Sequence, residues 1–455
     1  MTSASDANTA HSPLVTGRKL RDRTIAIAVF ALVFLAFRGG GSQVYDARYS
    51  VLIAQRLATQ GTFHLDDVPG ATADPVDARG APLLHKVNGR IHHYFPPGTP
   101  ILTAPLMVVG RLFGATVFDA EGRYDLDRET RLQRRIAPLL MATLVAVIFL
   151  TSRVLLDQPT SLVVAAAAAF GSQIWSTASR GLWSHTWGIL LVGLAIHGLL
   201  RSENGRGPAR PARLATALCW AFFCRPTFAI PAVGIALFLA VRRRSELAVF
   251  VAVSALWLAG FATFCLAQYG AVLPPYYDPT SRLESGHFAE ALLGNLVSPS
   301  RGVLLYTPLV WVCGFLIVRY WRMLVHRDLV ITALAITGAH WVAISMFPHW
   351  WGGWSYGSRL TTDLVPWFAL LGILGLRALR DSGESRSRGL RATAWGILAA
   401  SVLINANGGL WSEAVMWNRT PDVDLHPERL WDWRHPQFLH PFVESRGTDE
   451  PPDAS

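Results

Sequence analysis

The sequence predicts an all-α polytopic membrane protein, and three observations carry that expectation. Apolar residues make up 51% of the chain and charged residues only 16%, well under the quarter usual in soluble domains. About eleven apolar stretches separate the polar segments, and the bilayer is the natural solvent for them. The basic residues gather in short clusters at one end of these stretches, while Asp46, Arg48, His92, His93, His185, Arg225, Arg301, His349, Tyr356 and Arg359 fall at the other. The net charge of +10 is therefore read as cytoplasmic anchoring, not as a nucleic-acid surface.

Residues 1–23 are read as a cytoplasmic tail, polar and small until Arg18, Lys19, Arg21 and Arg23 precede the apolar run from Thr24. That run is short, and it is taken as an uncleaved anchor because no small-x-small cleavage pattern follows. The loops 201–213, 242–244, 319–327 and 386–391 are short and arginine-rich, which places them in the cytoplasm. The spans expected between them are 24–38, 135–156, 160–178, 183–200, 212–224, 226–241, 245–268, 303–320, 329–347, 360–380 and 392–411. The outer loops are then 39–134, 269–302 and 348–359. Residues 412–455 form an outer tail too irregular to place from sequence.

Two segments of the first outer loop are expected to lie along the membrane surface. Apolar positions at Tyr45, Tyr49, Leu52, Ile53 and Leu57 follow helical spacing, with Gly61 suited to the C-terminal cap. This helix would carry Asp46 in its first turn, where a carboxylate also serves the helix dipole. Residues 98–117 are apolar but broken by Pro100, Pro105 and Arg111, so they are read as interfacial and not spanning. Between the two, Asn88-Gly89 marks a two-residue hairpin presenting His85, Lys86, His92 and His93. Those histidines are either surface residues beside a turn or metal ligands. Arg225-Pro226 marks the outer tip of a tight hairpin of short spans, and Arg225 there either meets an anionic ligand or pairs with a carboxylate such as Asp363. Cys219, Cys224, Cys265 and Cys313 lie in spans without CxxC spacing, so neither a disulfide framework nor a zinc site is expected.

The segments "YDARYSVLIAQRLATQGTF", "HHYFPPGTPILTAPLMVVGRLFG", "CRPT", "SPSRGVLLYTP" and "WWGGWSYGSRLTTDLVP" resemble, in order and sidedness, the GT-C superfamily of membrane glycosyltransferases. The nearest branch is that of the protein O-mannosyltransferases and lipid A aminoarabinose transferases. The resemblance covers most of residues 20–440 and implies a GT-C-like fold with interfacial helices in the first outer loop. It implies transfer of a sugar from a polyprenyl-phosphate donor to a glycan, lipid or protein acceptor. The place implied is the periplasmic face of a bacterial inner membrane. Two departures stand out. Members of the aminoarabinose-transferase type often carry Asp-Glu before x-Arg-Tyr, where this chain has Tyr45-Asp46. They also tend to have Lys before Pro-Pro, where it has Phe95.

On that resemblance Asp46 is expected to be the base that takes the acceptor proton. Arg48, Arg225, Arg301 and Arg359 are expected to neutralise phosphate, which guanidinium does in bidentate fashion. Lys86, His93 or Arg225 would stand in for the missing lysine. Trp351 and Tyr356 would stack on sugar, His185 would line the site, and Tyr49 and Tyr94 join the substrate contacts. A single carboxylate fits a metal-free base mechanism and is also compatible with a divalent ion held by Asp46 and the donor phosphate. Three rivals share these features: a lipid or sugar flippase, which would show repeated halves; a catalytically inactive GT-C-like scaffold; and a polymer ligase using a lipid pyrophosphate.

Overall fold

The computed structural model describes residues 13–71, 83–279 and 286–440. A helix occupies each of the eleven stretches expected to span. The first is α1 (Pro13–Phe37), which begins inside the segment expected to be a free tail. After the first outer loop come α4 (Leu126–Leu155), α5 (Gln158–Phe170), α6 (Ser184–Glu203), α7 (Pro211–Cys224), α8 (Ala229–Arg242) and α9 (Arg244–Tyr269). Beyond the second outer loop, with α10 (Phe288–Val297) and the short α11 (Val303–Tyr306), lie α12 (Leu309–Arg319), α13 (Arg327–Ser345), α14 (Val365–Asp381) and α15 (Arg388–Leu410). Five helical stretches among the described residues are long and apolar enough to cross a membrane: 126–155, 244–269, 327–345, 359–381 and 388–410.

Burial sorts these helices into a centre and a rim. In α4, 78% of the most apolar 18-residue window is buried, against 17% in α9 and 11% in α15. Helix α4 packs on α1, α5 and α6, and its start is fixed by Asp125, whose carboxylate accepts the amides of Asp127 and Arg128 at 2.8 and 3.1 Å, an ordinary N-cap. The outward faces of α1 and α9, with Leu32, Leu35, Leu256 and Leu258 exposed, suit lipid tails.

The first outer loop holds both surface helices, α2 (Ser50–Gln60) and α3 (Gly98–Arg111), packed against each other. Helix α2 starts later than its apolar spacing implies. Tyr49 sits at φ 71°, a left-handed conformation that interrupts any helix running through it. Asp46 is therefore in the turn before α2, not in its first turn. The N-terminus of α2 is capped from a distance: Glu129 of α4 accepts the amides of Tyr49 and Val51 at 3.2 and 2.8 Å and the Tyr124 hydroxyl at 2.7 Å. Between α2 and α3, β1 (Leu84–Val87) and β2 (Arg90–His93) form the expected hairpin, with Leu84 opposite His93 and His85 opposite His92. Asn88 and Gly89 both take positive φ, 52° and 79°, as a type I′ turn requires.

Charge divides the bundle by end. Ion pairs Arg153–Asp22, Arg243–Glu203, Arg242–Asp328 and Arg319–Glu384 lie where α1 begins and α4, α6, α8, α12 and α14 meet their loops. The C-terminus of α1, the N-terminus of α6, the α7–α8 break and the segment leading into α14 lie at the other end.

Candidate functional site

At that second end, four distant pieces of chain bring charge together. Asp46 forms an ion pair with Arg359, a residue 313 positions away. Arg359 is 7% exposed. Its guanidinium carbon lies 3.9 Å from the ring centroid of Trp183, a close cation–π approach. Its Nη1 donates to the Gly352 carbonyl at 2.8 Å. The Arg359 stem rests beside Gly352, which has φ 73°, and only glycine holds such a conformation cheaply.

Arg225 completes the cluster. The chain is extended at Arg225 (φ −161°), and Pro226 then opens a new helical turn, so the α7–α8 break aims this side chain inward. Its Nε meets Asp363 Oδ2 at 3.0 Å, with both side chains buried, and Nη1 donates to Ser184 Oγ at 3.2 Å. Asp363 also accepts from Thr227 Oγ1 at 2.8 Å, and His340 Nε2 lies 3.8 Å away. The charges of Asp363 and, more weakly, Asp46 act on Arg225. The carboxylate pairing weighed for Arg225 is therefore present, and it orients the guanidinium without removing it from the reach of Asp46.

Two imidazoles flank this charge cluster. His185 is wholly buried, stacks on Trp183 with ring centroids 5.9 Å apart, and lies within the fields of Arg225 and Arg359. His93 is 5% exposed, lies edge-on to Tyr49 and feels the charge of Asp46. Burial, then His85, push the pKa of His93 down to about 3, so it is neutral near pH 7. Neither ring nitrogen of His93 or His185 finds a hydrogen-bond partner among the described residues. Buried polar atoms are seldom left so, and here they face a cluster built of opposite charges.

Other sequence-predicted residues lie elsewhere. Lys86 is on the exposed face of the hairpin. Tyr94 packs with His85, Phe95 and Tyr276 in an aromatic group, and Phe95, in the place of the family's lysine, joins that group. Arg48 lies over the Tyr49 ring, 4.8 Å from its centroid. Three candidates give donors to the chain's own acceptors. Tyr49 gives its hydroxyl to the Ala71 carbonyl at 2.7 Å. Tyr356 is fully buried against Tyr306 and gives its hydroxyl to the Ile404 carbonyl at 2.6 Å. Arg301 spends its donors on the carbonyls of Trp351, Ser300 and Gly353 and on the side chains of Gln437 and Asn418. Trp351 donates to Asp424 at 2.7 Å, so its indole N–H is tied to the C-terminal segment. Physical necessity explains all of these: a buried donor must be satisfied, and the nearest acceptors belong to the fold.

Trp183 is the residue sequence reasoning missed. It stands two positions before His185 in "GLWSHTW", and a tryptophan at a span end reads as an interfacial belt residue. No group of three His, Cys, Asp or Glu able to hold a metal occurs among the described residues; His85 and His92 face each other with ring centroids 6.2 Å apart but lack a third ligand.

No family model matches the sequence, and no curated protein does either. Among solved structures, the oligosaccharyltransferase of Archaeoglobus fulgidus, tethered to an acceptor peptide, aligns with a TM-score of 0.51 at 14% identity. That alignment covers 90% of this chain and 59% of the other. The same enzyme in complex with zinc and sulfate gives 0.51 at 14% identity over 90% and 57%. ArnT of Cupriavidus metallidurans bound to undecaprenyl phosphate gives 0.46 at 16% identity over 91% and 75%. The chain is thus similar in fold to the Archaeoglobus fulgidus oligosaccharyltransferase and spans about 59% of that protein's length.

Proposed function

We propose that this chain is a membrane glycosyltransferase that moves a sugar from a polyprenyl-phosphate carrier to a glycan, lipid or protein acceptor, with its working face on the periplasmic side of a bacterial inner membrane. The observation that carries this reading is the Asp46–Arg359 pair on Trp183, with Arg225 within electrostatic reach. The fold likeness to an oligosaccharyltransferase agrees with it.

The chemistry follows from those groups. The acceptor O–H or N–H attacks the anomeric carbon from the face opposite the phosphate. The new bond to the acceptor forms as the anomeric C–O bond breaks, and its electron pair leaves with the lipid phosphate. Arg359 and Arg225 neutralise that phosphate, since charge-assisted bonds to arginine are strong and directional. Asp46 takes the acceptor proton. Its pairing with Arg359 positions the carboxylate before substrate arrives. The donor phosphate then competes for the guanidinium and leaves the carboxylate to the acceptor. His93, which is neutral, and His185, both without a hydrogen-bond partner among the described residues, offer hydrogen bonds to sugar hydroxyls. Displacement from the opposite face makes the transfer inverting.

Asp46→Asn preserves shape and removes the base. In proteoliposomes supplied with polyprenyl-phosphate-linked sugar, transfer should fall by about 100-fold or more, with donor binding retained. Undiminished transfer removes Asp46 from the mechanism. Donor binding without turnover in the unaltered protein would support the inactive-scaffold reading.

A further inference from the structure

The opposite end of the bundle holds a second concentration of charge that the proposed transfer does not use. A cavity of about 650 Å³ opens there, lined by Arg18, Arg21, Arg153, Arg206, Arg377 and Arg380 around the loop 155–159. Asp157 is the one acid in its lining. That carboxylate caps α5 by accepting the Thr160 amide at 3.0 Å. From the rim, Asp22 pairs with Arg153 and Asp381 with Arg377. Arg18, Arg21, Arg206 and Arg380 have no ion-pair partner among the described residues.

Topogenic signalling explains why arginines sit at this end, since orientation depends on how many basic residues flank the spans. It does not explain why they converge. Arg18 and Arg21 come from α1, Arg153 from the end of α4, Arg206 from the loop after α6, and Arg377 and Arg380 from the last turns of α14. Like charges so placed repel one another: burial first, then the charges of Arg18 and Arg153, push the pKa of Arg206 down, with Asp22 opposing them. Arg153 is only 5% exposed and is held in place by donating to the Leu156 carbonyl at 2.6 Å. Arg206 is pinned to the Arg153 carbonyl at 2.8 Å, and Arg377 to the Leu155 carbonyl at 3.3 Å. Three guanidinium groups are thus preorganised around the loop. Self-repulsion of this kind opposes the compact state, and an anion bound among these guanidinium groups would relieve it beyond what Asp22 and Asp381 do.

We propose that this cavity is a binding site for a phosphate group, at the end of the bundle opposite the transferase site. Guanidinium suits phosphate oxygens in bidentate geometry, and the cavity is large enough for a phosphodiester headgroup. Leu20, between Arg18 and Arg21 in sequence, is 66% exposed, so apolar surface adjoins the arginines as it would for an anionic lipid. Basic pockets between membrane helices suit such headgroups.

The test uses the full chain in nanodiscs and needs no transfer assay, so its outcome is independent of the proposed activity. The double variant Arg206→Gln/Arg380→Gln is compared with Arg213→Gln/Arg391→Gln, which removes the same charge from exposed positions of the same end. Phosphatidylglycerol retained on the protein is counted by native mass spectrometry from mixed phosphatidylglycerol–phosphatidylcholine discs. In a separate arm, inorganic phosphate is titrated against thermal unfolding in phosphatidylcholine discs. Retention of phosphatidylglycerol that falls at least fivefold in the cavity variant, and less than twofold in the control, supports the site with a lipid source. A rise in unfolding temperature with phosphate that only the cavity variant loses supports it with a soluble source. Equal losses in both variants, or no phosphate-dependent effect in either arm, overturn the proposal.

Discussion

The Arg225–Asp363 pair shows how one residue can serve both the fold and the chemistry. Both side chains are buried, so removing either strands a charge. Arg225→Gln should lower stability by about 3 kcal/mol or more, read as the unfolding free energy in detergent. The double variant Arg225→Met/Asp363→Leu, which removes both charges, should recover most of that loss while transfer stays abolished. Residue types were legible from sequence to about this level. A cation at a span end announces that it needs an anion, and Asp363 was a visible partner. What could not be read was the pairing of Asp46 with Arg359, because nothing local links positions 313 apart. Trp183 was hidden for a different reason: a tryptophan under a guanidinium and one at a lipid interface look alike in sequence.

Among elements, α3 depends on close backbone approach. A Cβ at Gly98 would lie 2.4 Å from the backbone carbon and oxygen of Phe223 on α7, and backbone atoms cannot swing aside as a side chain can. Gly98→Ala should therefore push α3 off α7 and cost about 1–3 kcal/mol. Gly314→Ala, at a helical site with nothing within 4 Å, should be neutral or slightly stabilising. Paired thermal melts distinguish the two. The sequence predicted the hairpin well because Asn-Gly dictates its turn. It misplaced the start of α2 because apolar spacing runs through Tyr49, whereas the left-handed φ there and the cap from Glu129 are decided by tertiary contact. Within 98–117 the helix ends at Arg111 and holds Pro105 in its interior.

For the molecule as a whole, the C-terminal segment is the largest departure from expectation. Residues 412–440 looked too irregular to place, yet Asn418 and Gln437 supply the side-chain acceptors for Arg301. Gln437 alone accepts from Arg301 Nη1 and the Gly357 amide at 2.8 and 2.9 Å and donates to the carbonyls of Ser355 and Ala414. Such long-range polar networks leave no periodic trace in a sequence. Gln437→Ala should cost about 1–3 kcal/mol and expose the segment to limited proteolysis between residues 411 and 440, where the unaltered chain should resist. The predominantly helical class was legible because the bilayer imposes it on composition. A helix lies at each of the eleven stretches expected to span, and among the described residues five meet the length and hydropathy of a full crossing.

Arg180 joins the close of α1 to the close of α15. Its guanidinium, on a residue just 2% exposed, donates to the carbonyls of Phe37 and Gly39, just past α1, and of Gly409 at the close of α15. During synthesis the first two acceptors emerge long before the third. A nascent chain therefore carries an incompletely solvated cation until its last long helix inserts, and ribosomal order makes closure of this clasp a late event. Products cut short before residue 409 lack its third acceptor.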